Sequence, residues 1–281
     1  MSDLLTVPGA RIRHRVTGSG PTLLLGQSGE GGIDRAAPLV ALLADRFTVV
    51  TYDRRGLAGS PVDDRGAPVS MATHVDDAVR LIAAVADGPV LMAGFSYGAV
   101  IGLHLAVERS HLLAGLVAHE PVAPGLLVDA DAARLRAELA SVEAIYAEQG
   151  WTAAIRAIGP ILGIDPVRQQ REPGVELGSP FAEHRRADFE RFLAVDLPAA
   201  RKDHLVRADI AGIRVPVLAA AGADTPTHVL DRRAAVELAG LLGGELVTFP
   251  GGHNGDLVQP RAFAAMLTKS LAALDRNVPF C

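Results

Sequence analysis

The sequence predicts an α/β protein built on a mostly parallel sheet with helices on both faces. Three observations carry this. Residues 91–100 run an apolar strand into Gly94-Phe95-Ser96-Tyr97-Gly98 and then into a small-residue helical pattern through Ala99, Val100, Ile101, Leu103, Leu105 and Ala106. Short apolar runs alternate with helical periodicity over the first 120 or so residues, too far apart for hairpins, which favours parallel crossovers. The strand signal disappears over residues 122–213 and then returns, as it would for a helical lid inserted between two strands.

Composition narrows the class. At 281 residues, 49% of them hydrophobic, the chain can bury a large core in one domain with an inserted subdomain. A net charge of −5 with 21% charged residues offers no footprint for a polyanion, so no nucleic-acid partner is expected. No apolar run reaches about 18 residues, so no membrane span is expected. Met1-Ser2-Asp3-Leu4-Leu5 lacks the basic start and apolar core of a signal peptide. The expectation is a cytoplasmic monomer or homodimer acting on a small molecule. The single cysteine, Cys281, makes neither an internal disulfide nor a metal site, and no metal is assigned.

In chain order, residues 4–7 and 11–16 read as a hairpin about Gly9, with Arg11, Arg13 and Arg15 alternating against Ile12, His14 and Val16. His14 reads as a surface strand residue. A buried strand at 22–25 runs into Gly26-Gln27-Ser28-Gly29-Glu30-Gly31-Gly32. A phosphate cradle there is disfavoured, because no Gly-Lys-Ser/Thr follows. A loop in this place suits the second N–H of an oxyanion hole. A helix over 34–46 and a strand over 47–51 follow. Asp53-Arg54-Arg55-Gly56 reads as a loop tied down by charge-assisted hydrogen bonds rather than as a catalytic acid. Val75, Ala78, Val79, Ile82 and Val85 place a helix over 69–86, with His74 packed or capping. The strand at 112–119 ends at Glu120. Gln27, Ser28, Asp53, Ser96 and Glu120 all fall at carboxyl ends of strands, where the sites of such sheets lie.

The insertion is expected as helices over 129–148, 151–162, 181–192 and 201–208. Trp151, Tyr146, Phe181 and Phe192 are candidates for a substrate pocket, with packing between lid and core as the competing role. The charge run Glu183-His184-Arg185-Arg186-Ala187-Asp188 reads as a solvated helix face. The sheet resumes with strands at 215–221 and 245–249 around a helix at 230–242, and a helix over 261–274 closes the chain. His253 sits in the glycine-flanked turn after the last strand and has no periodic reason to be core. It is the candidate general base.

Ser96 is the candidate nucleophile. At the apex of a strand–turn–helix, a serine adopts a strained backbone conformation, and Gly94 and Gly98 remove side chains that would collide there. The helix behind it aims free N–H groups at a developing negative charge. With this elbow, the Asp53–Ser60 loop and Pro250-Gly251-Gly252-His253, the chain resembles the α/β-hydrolase superfamily over essentially its whole length. The resemblance implies an α/β-hydrolase fold with an eight-stranded sheet, a helical cap after the sixth strand (core 1–121 and 214–281, cap 122–213) and cofactor-free hydrolysis.

Two departures stand out. The family's oxyanion loop commonly carries His-Gly, where this chain has Gln27-Ser28-Gly29; Tyr97 is one donor, and Ser28 or Gly29 the other, with Gln27 a substrate contact. The family acid usually lies in Gly-x-x-Asp after the seventh strand, but Thr225 occupies that position and Asp224 lies one residue early. Asp224 is ranked ahead of Glu120, which stands at the tip of the sixth strand. The implied activity is serine hydrolysis of an ester or lactone of a small to medium, fairly hydrophobic substrate. The same scaffold also serves amide or carbon–carbon bond hydrolases, ligand receptors and cofactor-free lyases or cyclases.

Overall fold

The computed structural model describes residues 2–29 and 31–274; Glu30 and Cys281 lie outside them. Strands β1 (Asp3–Val7) and β2 (Ala10–Thr17) form the expected antiparallel hairpin. Strand β2 pairs antiparallel with β4 (Thr48–Tyr52). Every later pairing is parallel, through β3 (Thr22–Gly26), β5 (Val90–Phe95), β6 (Leu113–His119), β7 (Val217–Gly222) and β8 (Val247–Phe249).

The strand order is β1-β2-β4-β3-β5-β6-β7-β8. From β3 the chain steps to one side to form β4, then returns to the other side of β3 for β5. Such a reversal leaves a crevice beyond the carboxyl ends of the two central strands. The loop after β3 and Ser96 after β5 both stand there.

All of β5 is buried, which is why it reads as a continuous apolar run instead of an alternating one. Val90 and Met92 pack on one face with α2 (Met71–Val85), α3 (Tyr97–Glu108) and α9 (Leu230–Leu241). Leu91, Ala93 and Phe95 pack on the other with α1 (Ala37–Leu43) and α11 (Pro260–Leu274). Ser70 begins α2 with a reciprocal cap, accepting from Thr73 N–H while the Thr73 hydroxyl accepts from Ser70 N–H, both at 3.3 Å. Helix α1 is shorter than the sequence suggests. Pro38 sits in its first turn, where its missing N–H costs nothing, and turns flank the helix at 33–36 and 44–46.

Between β6 and β7 the described residues contain no strand. They form α4 (Asp129–Gln149), α5 (Trp151–Ile161), α6 (Arg186–Arg191), α7 (Leu197–Arg201) and α8 (Arg207–Ile210), with a π-helical turn at Phe192–Asp196 joining α6 to α7. The single helix expected over 201–208 is thus two pieces, the second started by Asp209 accepting from Val206 N–H at 2.8 Å. Among the described residues, no helix is long and apolar enough to cross a membrane. The helix α10 (Gly255–Val258) completes the set.

Packing is tight where α3 crosses the ends of β3 and β5. A methyl group on Gly98 would collide with the Gly26 carbonyl and stand 2.8 Å from Gln27 N, and one on Gly94 would stand 2.6 Å from Ala99 Cα. Those neighbours are backbone and cannot swing aside. Gly98→Ala is expected to lower stability by about 1–3 kcal/mol, measured by denaturant unfolding. Gly88→Ala, where a new Cβ meets nothing within 4 Å, is expected to move the midpoint little.

Candidate active site

Ser96 joins β5 to α3 with φ 53° and ψ −112°, a region few non-glycine residues occupy. Its N–H donates to the His119 carbonyl at 2.9 Å and its own carbonyl accepts from Ala99 N–H at 3.1 Å, so the turn is fastened at both ends. Tyr97 is the first residue of α3, and its N–H therefore has no acceptor within the helix.

Glu120 repeats this geometry one strand over. It leaves β6 with φ 44° and donates its N–H to the Ala220 carbonyl at 2.9 Å. One carboxylate oxygen, Oε1, accepts from Gly222 N–H at 2.9 Å; the other, Oε2, accepts from His253 Nδ1 at 2.8 Å. Both side chains are buried, and His253 Nε2 is buried with no hydrogen-bond partner among the described residues. An ionised carboxylate on Nδ1 fixes the tautomer that leaves Nε2 able to accept a proton.

The electrostatics follow from burial and partners. Burial pushes the Glu120 carboxyl up, but the His253 hydrogen bond and neighbouring charge bring it down to about 2. Burial alone would lower His253; Glu120 first, then Asp231 and Asp256, raise it above the ordinary histidine value. Asp231, on the first turn of α9, has Oδ2 3.9 Å from His253 Nδ1 and neither oxygen hydrogen-bonded among the described residues. Burial pushes it up to about 7 against the pull of His253, with the Glu120 charge adding to the rise. No motif in the sequence marks Asp231, although it shares the buried face of α9 with Ala234, Ala235 and Leu238.

Asp224 needs correcting as the partner of His253. It is exposed, its N–H is tied to the Gly251 carbonyl at 2.9 Å, and no hydrogen bond joins its carboxylate to His253. The chain turns immediately after Gly222, and Asp224 on that turn lines the cavity, whereas Glu120 holds both Gly222 N–H and the imidazole.

Ser96, Tyr97, Ser28, Gly29 and His253 line one cavity of about 780 Å³ between the strand ends and the helical insertion. Its apolar wall includes Leu139, Ile155, Ile158, Phe181, Phe189, Phe192 and Leu197. Gln27 is not part of the lining; its side-chain amide is buried without a partner among the described residues. Trp151 and Tyr146 also stand outside the lining. Trp151 instead stacks behind Phe189, with ring centres 5.8 Å apart and planes at 15°. Arg185 departs from the solvated face expected of its charge run: it lies over the Phe189 ring at 4.6 Å and lines the cavity with Arg35, Arg156 and Arg168. Burial, with the like charge of Arg185, brings Arg35 down to about 10.

Asp53 is structural in its contacts. It accepts from Ile33 N–H at 2.8 Å, Gly59 N–H at 3.0 Å and Arg13 at 3.1 Å. Arg55 forms a two-point pair with Asp77. Arg54 instead crosses to the insertion and meets Asp196.

The model of the Alpha/beta hydrolase family matches residues 19–266. The chain belongs to the alpha/beta hydrolase family. It is 42% identical over 123 residues to the Uncharacterized hydrolase YraK of Bacillus subtilis (strain 168), covering 44% of this chain and 45% of that protein. It is 29% identical over 167 residues to the 2-(acetamidomethylene)succinate hydrolase of Mesorhizobium japonicum, covering 59% and 58%. The chain thus spans about half the length of these curated relatives. The enol-lactonase structure from Burkholderia xenovorans LB400 superposes with a TM-score of 0.71 at 19% identity, covering 96% of this chain and 100% of that one.

The raised His253 pKa sets a pH expectation. Only neutral imidazole can take a proton, so fluorophosphonate labelling of Ser96 should fall with decreasing pH, with a midpoint above the ordinary histidine value of about 6.5. In Glu120→Gln the strongest stabiliser of the imidazolium is gone and burial remains, so the midpoint should move down. A pH profile of the labelling rate, read by mass spectrometry, checks both.

Proposed function

We propose that this protein is a serine hydrolase cleaving an ester or lactone of a small to medium, fairly hydrophobic substrate through an acyl-enzyme. The observation that carries the proposal is Ser96 on its strained turn, sharing one apolar-walled cavity with a buried His253 that is oriented by Glu120. Residues 122–213 act as the cap of that cavity. His253 Nε2 takes the Ser96 proton as Oγ attacks the carbonyl carbon. The oxyanion is held by Tyr97 N–H and by Ser28 or Gly29 N–H, each worth about 3 kcal/mol by comparison with other oxyanion holes. The carbon–oxygen bond to the leaving alkoxide then breaks, and His253 returns the proton to it. Water reverses the sequence: His253 takes its proton, the hydroxide attacks the acyl carbon, and Ser96 leaves reprotonated. Glu120 stabilises the imidazolium throughout and stays ionised.

An acyl–nitrogen bond is the second substrate class, favoured by the relative named for an acetamidomethylene compound. Matched ester and anilide substrates separate the two.

Fluorophosphonate labelling and p-nitrophenyl butyrate turnover test the scheme. Ser96→Ala and His253→Ala are expected to lose both. Glu120→Gln should lower kcat by roughly 10³- to 10⁴-fold, and Asp224→Asn should stay within about twofold of the parent. A parent protein that neither labels at Ser96 nor turns over esters would sink the proposal.

A further inference from the structure

Arg54 is buried, and each of its five guanidinium N–H groups has an acceptor. Nη1 donates to the carbonyls of Gln27 at 3.1 Å and Ser28 at 2.9 Å, and Nη2 donates to the Gly29 carbonyl. Nε and Nη2 both reach Asp196 Oδ2, at 3.1 and 3.0 Å. Asp196 belongs to the π-helical turn of the insertion, 142 residues away in sequence. Its other oxygen stands 3.3 Å from His74 Nε2. Burial pushes the Asp196 carboxyl up, but Arg54 and His74 outweigh it and hold it below the usual range. The guanidinium also lies 4.5 Å from the centre of the Tyr97 ring, which His74 meets edge-on at 5.4 Å.

The geometry has a direct consequence for the loop. In a trans peptide, a carbonyl and the N–H that follows it point in opposite directions, and no described peptide is cis. Turning the Gln27 and Ser28 carbonyls onto Arg54 therefore turns the Ser28 and Gly29 N–H groups away from it. Neither N–H donates to a described residue, and both residues line the cavity beside Ser96 and Tyr97. The same π-helical turn also places Phe192 against Gly29, where an added Cβ would stand 2.6 Å from the ring. One turn of the insertion thus seats the loop by packing and by charge together.

We infer that Arg54 and Asp196 are positioning residues for the oxyanion hole: the carboxylate from the insertion fixes the guanidinium, and the guanidinium fixes the direction of the Ser28 and Gly29 N–H groups. Neither side chain lines the cavity, so both act through the loop. Docking of the insertion and completion of the oxyanion hole are then a single event. This rests on the proposed chemistry at Ser96.

The test compares the parent, Asp196→Asn and Arg54→Lys in p-nitrophenyl butyrate kinetics and in inhibition by butylboronic acid, which forms a tetrahedral adduct on an activated serine. Labelling of Ser96 in the parent by a fluorophosphonate is measured first; without it, the hydrolase proposal and this one fall together. With the parent labelled, each variant is expected to lose about 10- to 100-fold in kcat with KM within about threefold. Boronate affinity should weaken by a matching factor. Arg54→Lys keeps the charge opposite Asp196, but a point ammonium cannot span three carbonyls and a carboxylate; a role limited to charge balance predicts a near-parent kcat for it. Thermal unfolding identifies folded variants, and Arg54→Lys carries the comparison if Asp196→Asn does not fold. A kcat within about twofold of the parent, or a lost kcat with parent-like boronate affinity, overturns the positioning role and leaves the serine hydrolase standing.

Discussion

The structure depends on how closely α3 can approach the ends of β3 and β5. Only hydrogen atoms fit at Gly94 and Gly98, so the helix starts directly on top of the sheet and Ser96 must turn through left-handed backbone to enter it. Such a conformation costs on the order of 1–3 kcal/mol and persists because its surroundings hold it. One of those holds is the hydrogen bond from Ser96 N–H to the His119 carbonyl, and the next strand repeats it from Glu120 N–H to Ala220. Phe95 and His119 are in register, so the two strained residues leave neighbouring strands at the same level. The sheet's ladder, continued one step past its ends, sets where the serine and the carboxylate stand.

The buried charges near His253 show how similar groups become different. Three carboxylates surround one imidazole: Glu120 and Asp231 are buried and Asp256 half-buried. Glu120 alone has both the Gly222 N–H and the imidazole as direct partners and is brought down to about 2, whereas burial pushes Asp231 to about 7 and Asp256 to about 6. Desolvation acts on all three, and the hydrogen bond to His253 holds Glu120 furthest down.

Much of the fold was legible because it is written locally. The strand, turn and helix around Ser96, the hairpin at Gly9 and the glycine-flanked His253 each carry their signal within about ten residues. The acid was not legible in this way, since choosing between Asp224 and Glu120 requires knowing which strand-end loop reaches the imidazole. That distance is tertiary. Asp196 and Asp231 were half legible: each sits among apolar residues at helical spacing, Asp196 with Phe192, Leu193 and Ala200, but the sequence does not name Arg54 or His253 as their neighbours. The pocket aromatics were legible in part: Phe181 and Phe192 line the cavity, whereas Trp151 and Tyr146 do not. Phe189 faces the cavity and Trp151 stands behind it because of how α5 and α6 pack, which no single helix records.

The position of Glu120 has a consequence for variation. With the imidazole's carboxylate partner supplied by Glu120 at the end of β6, Asp224 itself carries no obligation to the proton path of the proposed chemistry. Asp224, Pro226 and His228, between β7 and α9, nevertheless line the cavity. Under that proposed chemistry, changes at Asp224, Pro226 or His228 would alter which molecules are admitted while leaving the proton transfer intact, so selectivity and turnover can diverge independently as such a lineage evolves.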